Sequence, residues 1–173
     1  MTSPKWLTAL GIPETCIARK SSAEEHTRRF SIHPQPGDII WRVKADGCWL
    51  QSTGDKKVDY LFWGQSAKGR KAILLVELKG EDFGKALQQI KSTLDQLCKR
   101  ADGEGIHTGA HRISPGHDPL ATGGVLACVV LSKGKGVPQR QRERERLRQR
   151  YGVLVRTGER HFEVNGVDAI FSG

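Results

Sequence analysis

The chain has no CxxC pair, no apolar run near the roughly 20 residues that span a bilayer, and no helix-turn-helix, zinc-finger or RNP-like motif. Each absence closes a class. Cys16, Cys48, Cys98 and Cys128 are scattered along the sequence, so structural zinc is not expected. Cys128 lies in the apolar run Val125–Leu131 and reads as a small packed hydrophobe. No membrane partner is expected, and with no signal-type leader the expected compartment is a reducing cytoplasm. No motif of the known DNA-reading modules specifies a target sequence.

What is present suits one domain spanning residues 1–173, long enough to bury a core without metals or disulfides. The formal charge of +9, from 28 Lys plus Arg against 19 Asp plus Glu, favours a polyanionic partner.

Two apolar stretches carry the main signal. Lys57-Val58-Asp59-Tyr60-Leu61-Phe62 and Ile73-Leu74-Leu75-Val76-Glu77-Leu78-Lys79 read as neighbouring strands, joined by the polar segment Gly64–Lys71. So short a connection predicts an antiparallel hairpin. Side chains alternate along a strand, so Asp59, Leu61 and Trp63 share one face, as do Ile73, Leu75, Glu77 and Lys79. A hairpin sets the start of its first strand beside the end of its second, which brings Asp59 to Glu77 and Lys79. Buried charge is costly unless paired or metal-bound, and two carboxylates beside a lysine can share a divalent cation. Phosphodiester cleavage is the chemistry this set points to. The nearly unbroken apolar runs predict strands covered on both faces, as in α/β sheets.

In these residues the chain resembles the PD-(D/E)XK nuclease superfamily, which shares the restriction-endonuclease-like fold. Asp59 matches the family's metal-binding aspartate and Glu77-Leu78-Lys79 its (D/E)XK tripeptide, although no proline immediately precedes Asp59. The helix expected from Asp82 to about Arg100 matches the one that follows the catalytic strand. Gln88-Gln89 falls where several branches carry an active-site glutamine, and Gln89, nearer the apolar stripe, is the favoured candidate. The resemblance implies an α/β fold whose central mixed sheet is flanked by helices (α/β/α). It also implies Mg²⁺ as cofactor with Mn²⁺ as a substitute, nucleic acid as partner with DNA expected, and a homodimer as one arrangement. Asp59, Glu77 and the backbone carbonyl of Leu78 would hold the ion, and Lys79 would activate water or stabilise the transition state. Gln89 would orient water, substrate or Lys79. The family's order of elements further implies an acid on the first helix, for which Glu24 and Glu25 are the candidates. The plainer reading of either is an exposed helix-start carboxylate.

The remaining segments supply the frame. Residues 1–36 form an N-terminal region in which Ser21 or Ser22 caps a short helix over Ala23–Phe30. Ile39–Val43 and Gly47–Leu50 read as strands around Ala45-Asp46-Gly47, forming a meander with the acidic pair. Phe83, Ala86, Leu87, Ile90, Leu94, Leu97 and Cys98 recur at helical spacing and draw a stripe that packs on the sheet. Residues 101–124 read as a long flexible loop, whose His107, His111 and His117 are better solvated histidines than metal ligands. A flap over nucleic acid is the function such a loop would have.

Val125–Leu131 reads as a parallel strand and Pro138–Tyr151 as its crossover helix, with Gly152–Arg156 returning as a strand and His161–Val164 adding an edge. The helix's arginines alternate and so spread around it, with Glu143–Arg146 and Glu145–Arg148 available as ion pairs. A solvated, self-paired helix therefore competes with a phosphate-binding one. Lys133, Lys135, Arg140 and Arg144 are the candidates for nucleic-acid contact.

Three functional classes follow. The chain is a metal-dependent nuclease, a catalytically inactive nuclease-fold module for nucleic-acid binding or assembly, or a structural α/β domain whose Glu77 and Lys79 merely pair. The intact Asp59, Glu77 and Lys79 favour the first.

Overall fold

The computed structural model describes residues 2–4, 7–8, 11–50, 57–78, 82–100, 125–131, 138–151 and 153–171. Its centre is the expected hairpin. Strands β4 (Ile39–Lys44), β5 (Tyr60–Gln65) and β6 (Lys71–Glu77) form an antiparallel meander. Strands β7 (Val125–Leu131) and β8 (Leu154–Gly158) extend it in parallel, and the short β1 (Ile17–Ala18) pairs antiparallel with β4 at the far edge. The result is a six-stranded mixed sheet in the order β1-β4-β5-β6-β7-β8.

Helix α1 (Phe83–Arg100) connects β6 to β7, and α2 (Pro138–Tyr151) connects β7 to β8. Parallel crossovers are right-handed, and both step the same way along the sheet, so both helices fall on one face. There Phe83, Ala86, Leu87, Ile90 and Leu94 of α1 and Leu147 of α2 pack with Trp41, Val43, Leu61, Trp63, Ile73 and Leu75. Alternate residues of the same strands, Ile40, Tyr60, Phe62, Leu74 and Val76, point to the other face. The burial of both sets explains the unbroken apolar runs.

That second face is covered by a smaller sheet, which departs from the expected α/β/α layering. Strands β2 (Ser22–Glu25) and β3 (Arg28–His33) form an antiparallel hairpin, and β9 (His161–Asn165) lies parallel to β3 at the edge. Phe30, Ile32 and Val164 of this sheet, with Val167 and Ile170 beyond it, meet the main sheet's second face. Phe30 and Phe62 touch edge to face at 5.0 Å between ring centroids. Gly64 lets the C-terminal 3-10 turn come close, because a Cβ there would sit 2.9 Å from Val167 Cγ2.

The short helix expected over Ala23–Phe30 is therefore a hairpin. Its turn passes through His26 at φ 53, a left-handed conformation that ends any helix, and Arg28, Phe30 and Ile32 are buried at strand spacing. Pairing with β9, far along the chain, overrides the local helical preference of Ala23-Glu24-Glu25. Gly47–Leu50 is likewise not a strand. It belongs to a tight turn in which Gly47 takes φ 71 and an isolated bridge joins Asp46 to Leu50. The expected loop over 101–124 lies outside the described residues.

Cys16 and Cys48 form a disulfide between chain positions 32 residues apart. It ties the 3-10 turn before β1 to the turn after β4. Neither the expectation that the core needs no staple nor that of a reducing compartment anticipates it, since such bonds are uncommon in the cytosol.

Candidate active site

Asp59 stands one residue before β5 and Glu77 is the last residue of β6. The register pairs Tyr60 with Val76, and one further step sets Asp59 opposite Glu77. Parity places both on the helix-covered face, with Leu61, Ile73 and Leu75. The hairpin geometry read from the sequence thus brings the two carboxylates together. Both are buried, at 2% and 0% exposure.

Backbone groups hold this end of the hairpin on several sides. The Leu78 N–H donates to Asp59 Oδ2 at 2.7 Å, fixing the carboxylate against the residue that follows Glu77. The Asp59 carbonyl accepts from Ala45 N at 3.0 Å and Asp46 N at 3.4 Å, so the turn after β4 carries the Asp59 backbone. From the small sheet, Arg28 Nη1 donates to the Leu78 carbonyl at 2.8 Å. Lys57 Nζ donates to the Leu50 carbonyl.

Gln89 makes a contact that the sequence did not announce. Its Nε2 donates to the Lys57 carbonyl at 2.8 Å, which fastens α1 to the chain entering β5. Thr93, one turn on, accepts from Val58 N at 3.1 Å and donates to the Gln89 carbonyl at 2.9 Å. Gln88 is exposed and lines the α1–α2 side. Gln89 therefore positions the segment bearing Asp59, and its amide nitrogen is already engaged.

Other expected residues fall elsewhere. Glu24 and Glu25 are on β2, not on a helix, in register with Arg29 and Arg28. Arg144 reaches back with Nη2 to the Val155 carbonyl at 2.9 Å, a tie between α2 and β8. Arg140 is in the first turn of α2. Lys79, Lys133, Lys135 and the three loop histidines lie outside the described residues. No ion pair joins Glu143 to Arg146 or Glu145 to Arg148; Glu145 instead accepts from Gln149.

Sequence reasoning missed Arg28 and Lys57, which are buried to 8% and 7% exposure. With Asp59 and Glu77 they place two cations and two anions near one end of the hairpin, and the two cations are satisfied by the Leu78 and Leu50 backbone carbonyls. Lys57 carried a signal, being two residues before Asp59. Arg28 carried none, because the segment around it read as helical.

Among the described residues no group of three His, Cys, Asp or Glu side chains is placed to hold a metal. Asp59 and Glu77 form a pair, and a pair suits Mg²⁺, which commonly takes one or two carboxylates and completes its shell with water and substrate phosphate. The donor chemistry of these two residues therefore fits the ion. The Leu78 carbonyl fits less well than expected, since a guanidinium already occupies it and a second cation there would be repelled. Comparison with protein-family models, with curated proteins and with solved structures found no match to this chain.

Proposed function

We propose that this chain is a divalent-metal-dependent nuclease that hydrolyses phosphodiester bonds, with DNA as the expected substrate. Its architecture would be a variant of the restriction-endonuclease-like α/β fold. The observation that carries the reading is the β5–β6 register, which sets Asp59 directly across from Glu77 on one sheet face. The sequence then places Lys79 two residues beyond Glu77, on the same strand parity.

Mg²⁺, or Mn²⁺ in its place, would supply Lewis acidity at the scissile phosphate and a more acidic water. Asp59 and Glu77 would hold it through carboxylate oxygens. The bond from Leu78 N–H fixes the Asp59 carboxylate, so that side chain needs little reordering on binding. Arg28, on the Leu78 carbonyl, pins the chain directly after Glu77 from the other side. Lys79 takes the proton of the attacking water or steadies charge on the phosphoryl oxygens. Gln89 and Thr93 act through the backbone of Lys57 and Val58 and are positioning residues.

A second reading is favoured by the burial of both carboxylates and by the guanidinium on the Leu78 carbonyl. In it the chain is a catalytically inactive nuclease-fold module, in which Arg28, Lys57 and Asp59 serve to tie backbone groups of Leu78 and Leu50 together. Incubation with linear, nicked, branched and single-stranded DNA, with and without Mg²⁺ or Mn²⁺, separates the two. Metal-dependent cleavage lost in Lys79→Ala, with binding kept, supports the nuclease. Binding without cleavage in the wild type selects the module.

A further inference from the structure

Helices α1 and α2 do not close on each other along their outer sides. Between them runs a cleft of about 520 Å³, with Leu87 and Leu147 at its base. Lys91 stands on the α1 wall, and Arg146 and Arg150 stand one turn apart on the α2 wall. Among the described lining residues Glu143 is the single acid, against Lys91, Arg146 and Arg150, so these residues carry two positive charges in excess.

These cations are not all consumed internally. Arg150 lies 3.9 Å from Asp95, but Lys91 and Arg146 form no ion pair with any described residue. The sequence suggested that Glu143 would neutralise Arg146, and that pair does not form. Most of the accessible lining is apolar, and the rims carry the cationic ends of Lys91, Arg146 and Arg150, which offer donors to an anion.

We propose that this cleft is a track for the phosphate backbone of a single nucleic-acid strand, a proposal that rests on the nuclease reading. A cleft of about 520 Å³ has room for a short length of one strand and not for a duplex. No aromatic side chain is among the described residues that line it, so the contact these residues offer is to phosphates and is independent of base identity. Gly84, in the first turn of α1 and seven residues after Glu77, lines the end of the cleft nearest the start of that helix. A strand lying against Lys91 and Arg146 therefore leaves the cleft toward the end of β6 that carries the acidic pair. Arg144, held on Val155, takes no part in this track.

The test is fluorescence anisotropy of a labelled oligothymidylate with the full chain, in EDTA so that nothing is cleaved, over a series of salt concentrations. Lys91 and Arg146 on a single strand predict a log–log salt slope of about −1.4, rising toward about −2 where Arg150 is released from Asp95. Lys91→Ala/Arg146→Ala should flatten that slope by about 1.4 and weaken binding about tenfold at low salt. Arg142→Ala/Arg148→Ala removes the same charge from exposed positions of α2 outside the cleft and should leave binding within about twofold. Equal loss in the two double variants overturns the proposal, as does absence of wild-type binding. Competition by polyglutamate as strong as by unlabelled oligonucleotide also overturns it and assigns the cleft to an acidic protein. Cleavage in Mg²⁺, measured separately, keeps the two ideas apart. Cleft-dependent binding without cleavage sinks the nuclease reading alone, and cleavage with cleft-independent binding sinks the track alone.

Discussion

Replacing Cys16 and Cys48 by serine should destabilise the protein by several kcal/mol and loosen the segment that carries Asp59. The disulfide joins positions 32 residues apart, and the loop it closes holds all of β2, β3 and β4. In the chain-entropy account, a loop of about that length costs the unfolded state roughly 12 cal/mol/K, or about 3.7 kcal/mol at 25 °C. For a chain of this size, each kcal/mol moves Tm by about 2–4 °C, so the oxidised protein should melt about 7–15 °C above the variant. The same bond anchors the turn at 45–50. That turn donates to the Asp59 carbonyl through Ala45 and Asp46, and its Leu50 carbonyl holds Lys57. Thermal unfolding by circular dichroism, on wild type with and without dithiothreitol and on Cys16→Ser/Cys48→Ser, reads the effect. Reduced wild type should melt with the variant, and amide exchange at residues 57–60 should speed up in both. A variant that melts within about a degree of the oxidised protein would refute the entropic argument.

Other perturbations test the ties around the acidic pair. Thr93→Val removes the acceptor of the buried Val58 N–H and should cost about 1–3 kcal/mol in urea unfolding; a neutral result would mean that bond is not made. Arg28→Met strips the guanidinium from the buried Leu78 carbonyl and should destabilise by a similar amount, about 1–3 kcal/mol, whereas unchanged stability would detach Arg28 from the site. Gly64→Ala pushes a Cβ to 2.9 Å from Val167 Cγ2. Overpacking of that kind costs about 1–3 kcal/mol, and Gly64→Ala/Val167→Ala should recover part of it.

The parts of the fold that could be read from sequence are those governed by local period. Glu77 follows Ile73 and Leu75 at strand spacing, and a glycine-bounded polar connector fixes the hairpin, so the Asp59–Glu77 register is legible in the residues alone. Helix α1 was equally legible because Phe83, Ala86, Ile90 and Leu94 mark one helical face, and the strand-helix-strand run after it has the lengths of a parallel crossover. What was not legible depends on distant partners. Ala23-Glu24-Glu25 favours helix until β9 pairs with β3, and no local pattern announces that pairing. The Cys16–Cys48 bond is a tertiary event for the same reason. So is the choice of a small sheet, in place of a helix, to cover the second face. Gln89 was placed correctly beside the buried face of α1, but its partner, the Lys57 carbonyl, could only be found once the helix was docked. Arg28 entered the site on a strand that local propensity read as helix.

The central claim is that Asp59 and Glu77 form a divalent-metal site for phosphodiester hydrolysis. The most direct test is cleavage of labelled DNA across a Mg²⁺ titration, using wild type, Asp59→Asn and Glu77→Gln whose folding is verified by their melting curves. Wild type should show saturable, Mg²⁺-dependent cleavage, and each variant should lose both activity and its metal dependence. Cleavage by Asp59→Asn with an unchanged Mg²⁺ titration, or a wild type that cleaves no substrate in either Mg²⁺ or Mn²⁺, would contradict it.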